Sequence, residues 1–270
     1  STEQSFVEQI FNTLNFGMPI IILAQADTNT QVYANALRKQ AEEVYGLDNV
    51  LHIYPPNSSQ ADSAAYFGRL AKQCHFDQPI ATSWEWAEAM SEKLAQGEQV
   101  FLLVTGFENG AEISRAELAG EMRQLHESFN SFHPVMMGSE KLAALKYAHG
   151  SMSLLNTAEE FTIPALNLQD LQIIFKRLYP KLNLQTEQLQ EIINFTGCQP
   201  RLLHYCLQQN ADSAQTVKSI LLNSPIPAQL FTRFREAQDI ARLASLFTKR
   251  ELGRYDPWPA DILIRRLYWN

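Results

Sequence analysis

Met18-Pro19-Ile20-Ile21-Ile22-Leu23-Ala24-Gln25-Ala26-Asp27-Thr28-Asn29-Thr30-Gln31 is the stretch that sets the class of the fold. Its first half is apolar throughout and branched at the β-carbon, the pattern of a strand buried on both faces. Its second half is polar and leads into Val32, Ala36, Leu37, Ala41 and Val44, whose three-to-five spacing predicts a helix. A both-faces-buried strand feeding a helix through a short polar turn is the opening unit of a parallel α/β sheet.

The same alternation continues outward. Asn49–Tyr54 reads as a second strand, stopped by Pro55-Pro56, and Gln99–Thr105 as a third. Two helices, about 61–73 and 84–96, separate them. Ala119, Met122, Leu125 and Phe129 place one apolar face on a helix over Ser114–Phe129. His133–Gly138 is a fourth strand, a helix with Leu142, Leu145 and Tyr147 follows, and Phe161-Thr162-Ile163 is a fifth strand. After Pro164 the strands stop. Helices are expected over Leu168–Leu178, Thr186–Phe195 and Arg201–Gln209, with another starting near Ser213. Leu230, Phe234, Ala237, Ala241 and Ala244 mark a long amphipathic helix, and a last helix, Ala260–Trp269, follows the Asp256-Pro257-Trp258-Pro259 corner. The expected organisation is an α/β domain over 1–165, an all-helical piece over 166–228, and a C-terminal helical segment over 229–270.

Composition narrows the function. The chain has 270 residues, 46% of them apolar and 19% charged, ample for a packed core. With 22 Lys and Arg against 29 Asp and Glu the net charge is −7, which disfavours bulk binding to nucleic acid phosphates. The charge is uneven: from Arg233 onward eight cations face five acids, so the tail is net +3 and residues 1–232 are net −10. The longest apolar run, Met18–Ala24, is too short to cross a bilayer, and no cationic start precedes an apolar stretch, so a soluble, cytoplasmic protein without membrane insertion is expected. Cys74, Cys198 and Cys206 form no CxxC pair and read as reduced core thiols, a redox or metal role being the alternative.

The turn after the first strand invites comparison with the phosphate-binding loop GxxxxGK[ST], in which glycine lets the backbone wrap phosphate oxygens, lysine adds charge, and the hydroxyl holds magnesium. Here Ala24 and Asn29 take the glycine places, Thr30 the lysine place and Gln31 the Ser/Thr place, while Asp27 repels phosphate. Amide donors at the helix start remain available to an anion. The two readings are a nucleotide pocket stripped of its charged ligands and an ordinary strand-to-helix turn. At the third strand's end, where P-loop ATPases carry an acidic pair for magnesium and water, stand Thr105-Gly106, with Glu108 read as a solvated loop carboxylate, the alternative being that it substitutes for the missing acid. The fourth strand ends in Gly138-Ser139, where a phosphate-sensing group or a helix cap fits.

Taken together, these residues resemble a P-loop ATPase of the AAA+ type, in the signalling group called STAND ATPases. The strand order is one part of the resemblance. Another is Thr196-Gly197-Cys198-Gln199-Pro200-Arg201-Leu202-Leu203, similar to the lid signature in which a Gly-x-x-Pro turn touches adenine and an adjacent arginine senses phosphates. The resemblance implies a P-loop NTPase-like five-stranded parallel sheet between helices, then an all-α lid. The tail, Lys249–Asp256 through Leu267–Asn270, is similar to the start of a winged-helix module. It implies Asn29, Thr30, Gln31, Pro200 and Arg201 as the residues that would meet ATP or ADP, bound weakly or not at all. The alternative for Gly197–Arg201 is a helix–helix turn with a surface arginine.

Other constellations point elsewhere less well. The six histidines are scattered without ligand spacing, so no metal is expected. No GxSxG elbow supplies a nucleophile. Trp84 and Trp86, with Ala87 and Met90, are expected to anchor a core helix rather than stack a base. Arg265 and Arg266 offer a route to DNA through the last helix, against which stands a role in pairing with acidic protein surface. The expected function is a catalytically silent or weakly nucleotide-binding AAA+/STAND-like module, an interaction or scaffold part of a larger assembly with protein partners. A nucleotide switch without efficient hydrolysis and a DNA-binding regulator are the alternatives.

Overall fold

The computed structural model describes residues 2–57, 61–146, 153–180, 182–230, 237–247 and 263. Its elements alternate as the apolar pattern requires: α1 (Thr2–Leu14), β1 (Ile20–Leu23), α2 (Thr30–Tyr45), β2 (Val50–Ile53), α3 (Ser63–Gln73), α4 (Ser83–Ala95), β3 (Val100–Thr105), α5 (Glu112–Ser128), β4 (Phe132–Gly138), α6 (Glu140–Lys146), α7 (Ser153–Thr157) and β5 (Glu159–Thr162). Then come α8 (Leu168–Leu178), α9 (Thr186–Thr196), α10 (Pro200–Gln208), α11 (Ala214–Leu222), α12 (Ile226–Leu230) and α13 (Ala237–Phe247).

The five strands form one parallel sheet in the order β2-β3-β4-β1-β5. Every residue of β1 is fully buried, as are the first five of β3. Such strands need cover on both faces, because successive side chains alternate between them. On one face Ile20, Ile22, Phe101, Leu103, Val135 and Met137 pack with Leu37 and Ala41 of α2 and with Phe6, Ile10, Phe11 and Leu14 of α1. Helix α1 precedes the first expected strand and the sequence reading assigned it nothing. Phe11, Phe101 and Tyr45 stack in series, with the His133 ring 4.9 Å from that of Tyr45. By the pleat, Ile21, Leu102 and Val104 face the other way, and α3, α4 and α5 supply buried Phe67, Leu70, Trp86, Met90 and Met122.

The chain divides into two compact units, residues 3–25 with 29–163, and Pro164 onward together with Thr2 and residues 26–28. The second unit closes its own core around Leu171, Phe175, Leu189, Ile192, Leu203, Cys206 and Val217. Its helices start on side-chain caps: Asn167 accepts from the Asp170 amide, and Ser213 from that of Thr216. Of the amphipathic helix expected over 230–244, Leu230 lies in α12 and residues 237–244 in α13, with 231–236 outside the described residues. Of the expected last helix only Leu263 is described, helical and buried with Leu243; Arg265, Arg266 and the winged-helix-like tail lie outside the described residues. Among the described residues no helix is long and apolar enough to cross a membrane.

Candidate functional site

In an open parallel sheet the carboxyl ends of the strands, where the chain order reverses, form the crevice that takes ligands. Here the order places the ends of β3, β4 and β1 side by side. Backbone bonds zip them together: the Gly106 amide donates to Met137 O at 3.3 Å, and the Ala24 amide to Gly138 O at 2.9 Å. Three strand tips therefore present the residues that follow them to one edge.

At the β3 tip stands Thr105, whose hydroxyl lies 2.9 Å from His52 Nε2 across the β2–β3 ladder. Burial, reinforced by the Arg38 charge, lowers the His52 pKa from 6.5 to about 4, so the ring is neutral near pH 7. The loop beyond turns on Gly106, with φ +67, and closes as the Asn109 amide donates to Gly106 O at 3.0 Å. Arg115 Nη1 holds it from α5 by donating to the Glu108 carbonyl at 2.8 Å.

Glu108 corrects the sequence reading. It is not a solvated loop carboxylate: its Oε2 is shielded from water, has no hydrogen-bond partner, and lies 2.8 Å from where a Cβ on Gly138 would sit. Burial raises its pKa, outweighing the backbone amides of Glu108 and Ser139, the Lys141 charge and the Ser139 hydroxyl, which pull it down. The glycine at the β4 tip is thus the space into which this carboxyl fits. Composition gave no sign of it, because the close approach is made by folding and not by spacing.

At the β1 tip, Asn29 is the N-cap of α2 but makes no side-chain cap bond, and no acid stands in the helix's first turn. Thr30 and Gln31 are its first two residues, and the Gln31 amide side chain donates to Asn35 Oδ1 at 2.8 Å. Asp27 has φ +63, the left-handed region that an L side chain rarely takes. In the second unit, which includes residues 26–28, Gln199 Nε2 donates to Asp27 Oδ2 at 3.1 Å.

No protein family and no curated relative matches the sequence. Solved structures do. The chain is similar to the ORC2 protein of Aeropyrum pernix, in its ADPNP–ADP complexes, with TM-score 0.55 and 12% identity over 98% of this chain and 78% of that one. It is similar to a Walker-type ATPase of Pyrococcus abyssi at TM-score 0.55 and 11% identity, over 89% of this chain and 76% of the other. The Cdc6p protein of Pyrobaculum aerophilum gives TM-score 0.50 and 16% identity, over 84% of this chain and 62% of its own length. The fold is P-loop NTPase-like.

In a P-loop NTPase-like fold the turn from β1 to α2 is the phosphate position, and here it has no lysine and no glycine. The residues implied by the resemblance fall in different units: Asn29, Thr30 and Gln31 in the first, Pro200 and Arg201 in the second. In the second, Gly197 and Cys198 both take left-handed backbone, with φ +62 and +59, and end α9. Gln199 then caps α10 by accepting from the Leu202 amide at 2.8 Å, and Pro200 is the first helical residue, where its missing N–H costs nothing. Exposed Arg201 donates through Nη2 to Gln229 Oε1. Two readings of single side chains change. Trp86 is buried but Trp84 is not, leaving 64% of its surface to solvent. Cys74 and Cys206 are core thiols, whereas Cys198 is half-buried with its Sγ 3.8 Å from Leu166 O. Among the described residues no group of three or more His, Cys, Asp or Glu is placed to hold a metal.

Proposed function

We propose that this chain is an AAA+-like module, of the STAND kind by its lid turn, that keeps the P-loop frame without splitting nucleotide and serves as an interaction or scaffold part of an assembly. The observation that carries this is Thr105. It stands at the β3 tip, where magnesium-dependent hydrolysis uses a carboxylate, and its hydroxyl is engaged by a neutral His52. The β1–α2 turn adds no cation. Glu108 reaches the β4 tip, where burial raises its pKa. What remains is a sheet whose fold-making apolar residues are all in place.

Titration of the chain with ATP and magnesium by calorimetry, with phosphate release followed in parallel, tests this. The expected result is no turnover and at most feeble binding. Micromolar affinity with turnover overturns it.

A second reading, an ATP- or ADP-binding switch without hydrolysis, draws on the uncapped start of α2. Its first amides have no side-chain acceptor from Asn29, so an anion is their natural complement. That one similar structure was solved with ADPNP and ADP supports it. Arg201, with the Gly197–Pro200 turn, supplies the remaining contacts in this reading. Nucleotide-dependent protection of residues 24–35 from hydrogen exchange is its signature; unchanged exchange at saturating ADP rejects it.

A further inference from the structure

Helices α4 and α5 pack side by side, and the seam between them opens into a groove of about 300 Å³. Its floor is apolar, made by buried Ala87 and Leu125 and half-buried Phe129. Trp84 stands at its mouth, mostly exposed, although Trp86 on the same helix is fully buried. A large indole left in water beside an apolar floor is the composition of an interface anchor, since tryptophan is enriched among the residues that dominate binding.

The rim is acidic. Among the described residues Glu88 and Glu121 line the groove and no lysine, arginine or histidine does. Ser83 Oγ donates to Glu121 Oε1 at 3.3 Å and holds that carboxylate at the edge. Across the two helices seven acids face three Lys and Arg. Each of those three cations is already engaged: Lys93 with Glu98 at 2.5 Å, Arg123 with Glu127 at 2.6 Å, and Arg115 with the Glu108 carbonyl at 2.8 Å. Phosphates of nucleic acids or anionic lipids meet repulsion on this face, whereas a cationic chain finds unneutralised partners.

We infer that the α4–α5 groove is the docking site for a basic segment of a partner protein. One apolar side chain of that segment lodges against Ala87, Leu125 and Phe129 under Trp84, and its flanking Lys or Arg residues pair with Glu88 and Glu121. The face is separate from the β1–α2 turn and serves whether or not that turn takes nucleotide.

Random dodecapeptides selected on the full chain, with the enriched peptides then measured by fluorescence anisotropy, test the assignment. The enriched set should be rich in Lys and Arg around one Leu, Ile, Phe or Trp. Trp84→Ala should weaken those peptides roughly 30-fold or more, the loss typical of an interface tryptophan. Glu88→Lys should weaken them several-fold, and rising salt should do the same. Both side chains are exposed, so circular dichroism and melting of the variants should match the parent. Neutral or acidic enriched peptides, basic ones indifferent to both substitutions, or no enrichment at all overturn the assignment. So does Trp84-dependent binding of phosphatidylserine vesicles or duplex DNA in place of basic peptides.

Discussion

Helices α2 and α10 follow the two turns whose sequences were compared with the phosphate-binding loop and the lid turn of AAA+ ATPases, and they begin in opposite ways. The start of α10 is closed by its own chemistry. Gly197 and Cys198 turn the chain, Gln199 satisfies the Leu202 amide, and Pro200 removes one donor that would otherwise be orphaned. The start of α2 is open: Asn29 makes no cap bond, and Asp27 before it occupies left-handed backbone. A helix start that caps itself has no need of a ligand, while one that does not leaves its donors to water or an anion. The turn before α10 is thus self-sufficient structure, and the turn before α2 has neither a cation nor a cap bond from Asn29.

The largest effect is expected in the frame beneath the open turn. A Cβ on Gly138 would meet Leu142 and Glu108 Oε2 at 2.8 Å, and Gly138 O accepts from Ala24. Gly138→Ala must therefore push apart the β4 tip, the start of α6 and the Glu108 carboxyl, at a cost of about 1–3 kcal/mol for forced overpacking. Chemical denaturation of the first unit, followed by the buried Trp86, measures it. A loss below a few tenths of a kcal/mol would show that Glu108 is free to move out, and that the strand tips are looser than their backbone bonds suggest.

The frame was legible in the sequence because apolar runs with branched side chains report double-sided burial directly. The buried-strand readings at Met18–Ala24 and Gln99–Thr105 needed no partner to be known, and the structure buries Ile20–Leu23 and Val100–Val104 completely, whereas β2 keeps Val50 and His52 only half-buried. Helix α1 was not read, although Phe6, Ile10 and Leu14 carry helical spacing and are buried in the core. The site was less legible for a physical reason. Thr105 acquires meaning from His52, which β2–β3 register alone brings to it, and Glu108 from a glycine 30 residues away in sequence. Likewise, spacing put Trp84 on a helix with Trp86 but could not tell which of the two indoles meets the core.

The β3 tip gives the intermediate effect. Because the folded state holds His52 near 4 against 6.5 for the free side chain, the unfolded chain binds a proton between those values and the folded chain does not. Stability that is full above about 6.5 is therefore lost as pH falls toward 4. Discounted for the solvent that reaches the half-buried ring, the loss is about 1–2 kcal/mol. NMR titration of His52 should give a midpoint near 4, and His52→Gln should remove this part of the pH slope. A midpoint at the ordinary value would mean the ring is open to water.

The smallest effect tests the contrast between the two helix starts most directly. Gln199→Ala removes the acceptor for the Leu202 amide, together with the exposed bond to Asp27 Oδ2, and should cost ~1 kcal/mol, the usual worth of an N-cap. Native-state hydrogen exchange should show Leu202 exchanging roughly five times faster, since that energy is about a factor of five in an opening equilibrium. Asn29→Ala removes no cap bond, so the amides of Thr30, Gln31 and Val32 should exchange as before, within a few tenths of a kcal/mol of unchanged stability. Equal responses at the two sites would dissolve the contrast. A loss at Asn29 as large as that at Gln199 would mean that Asn29 caps α2 in solution, leaving that helix start no unmet donor for an anion and removing the support for nucleotide binding.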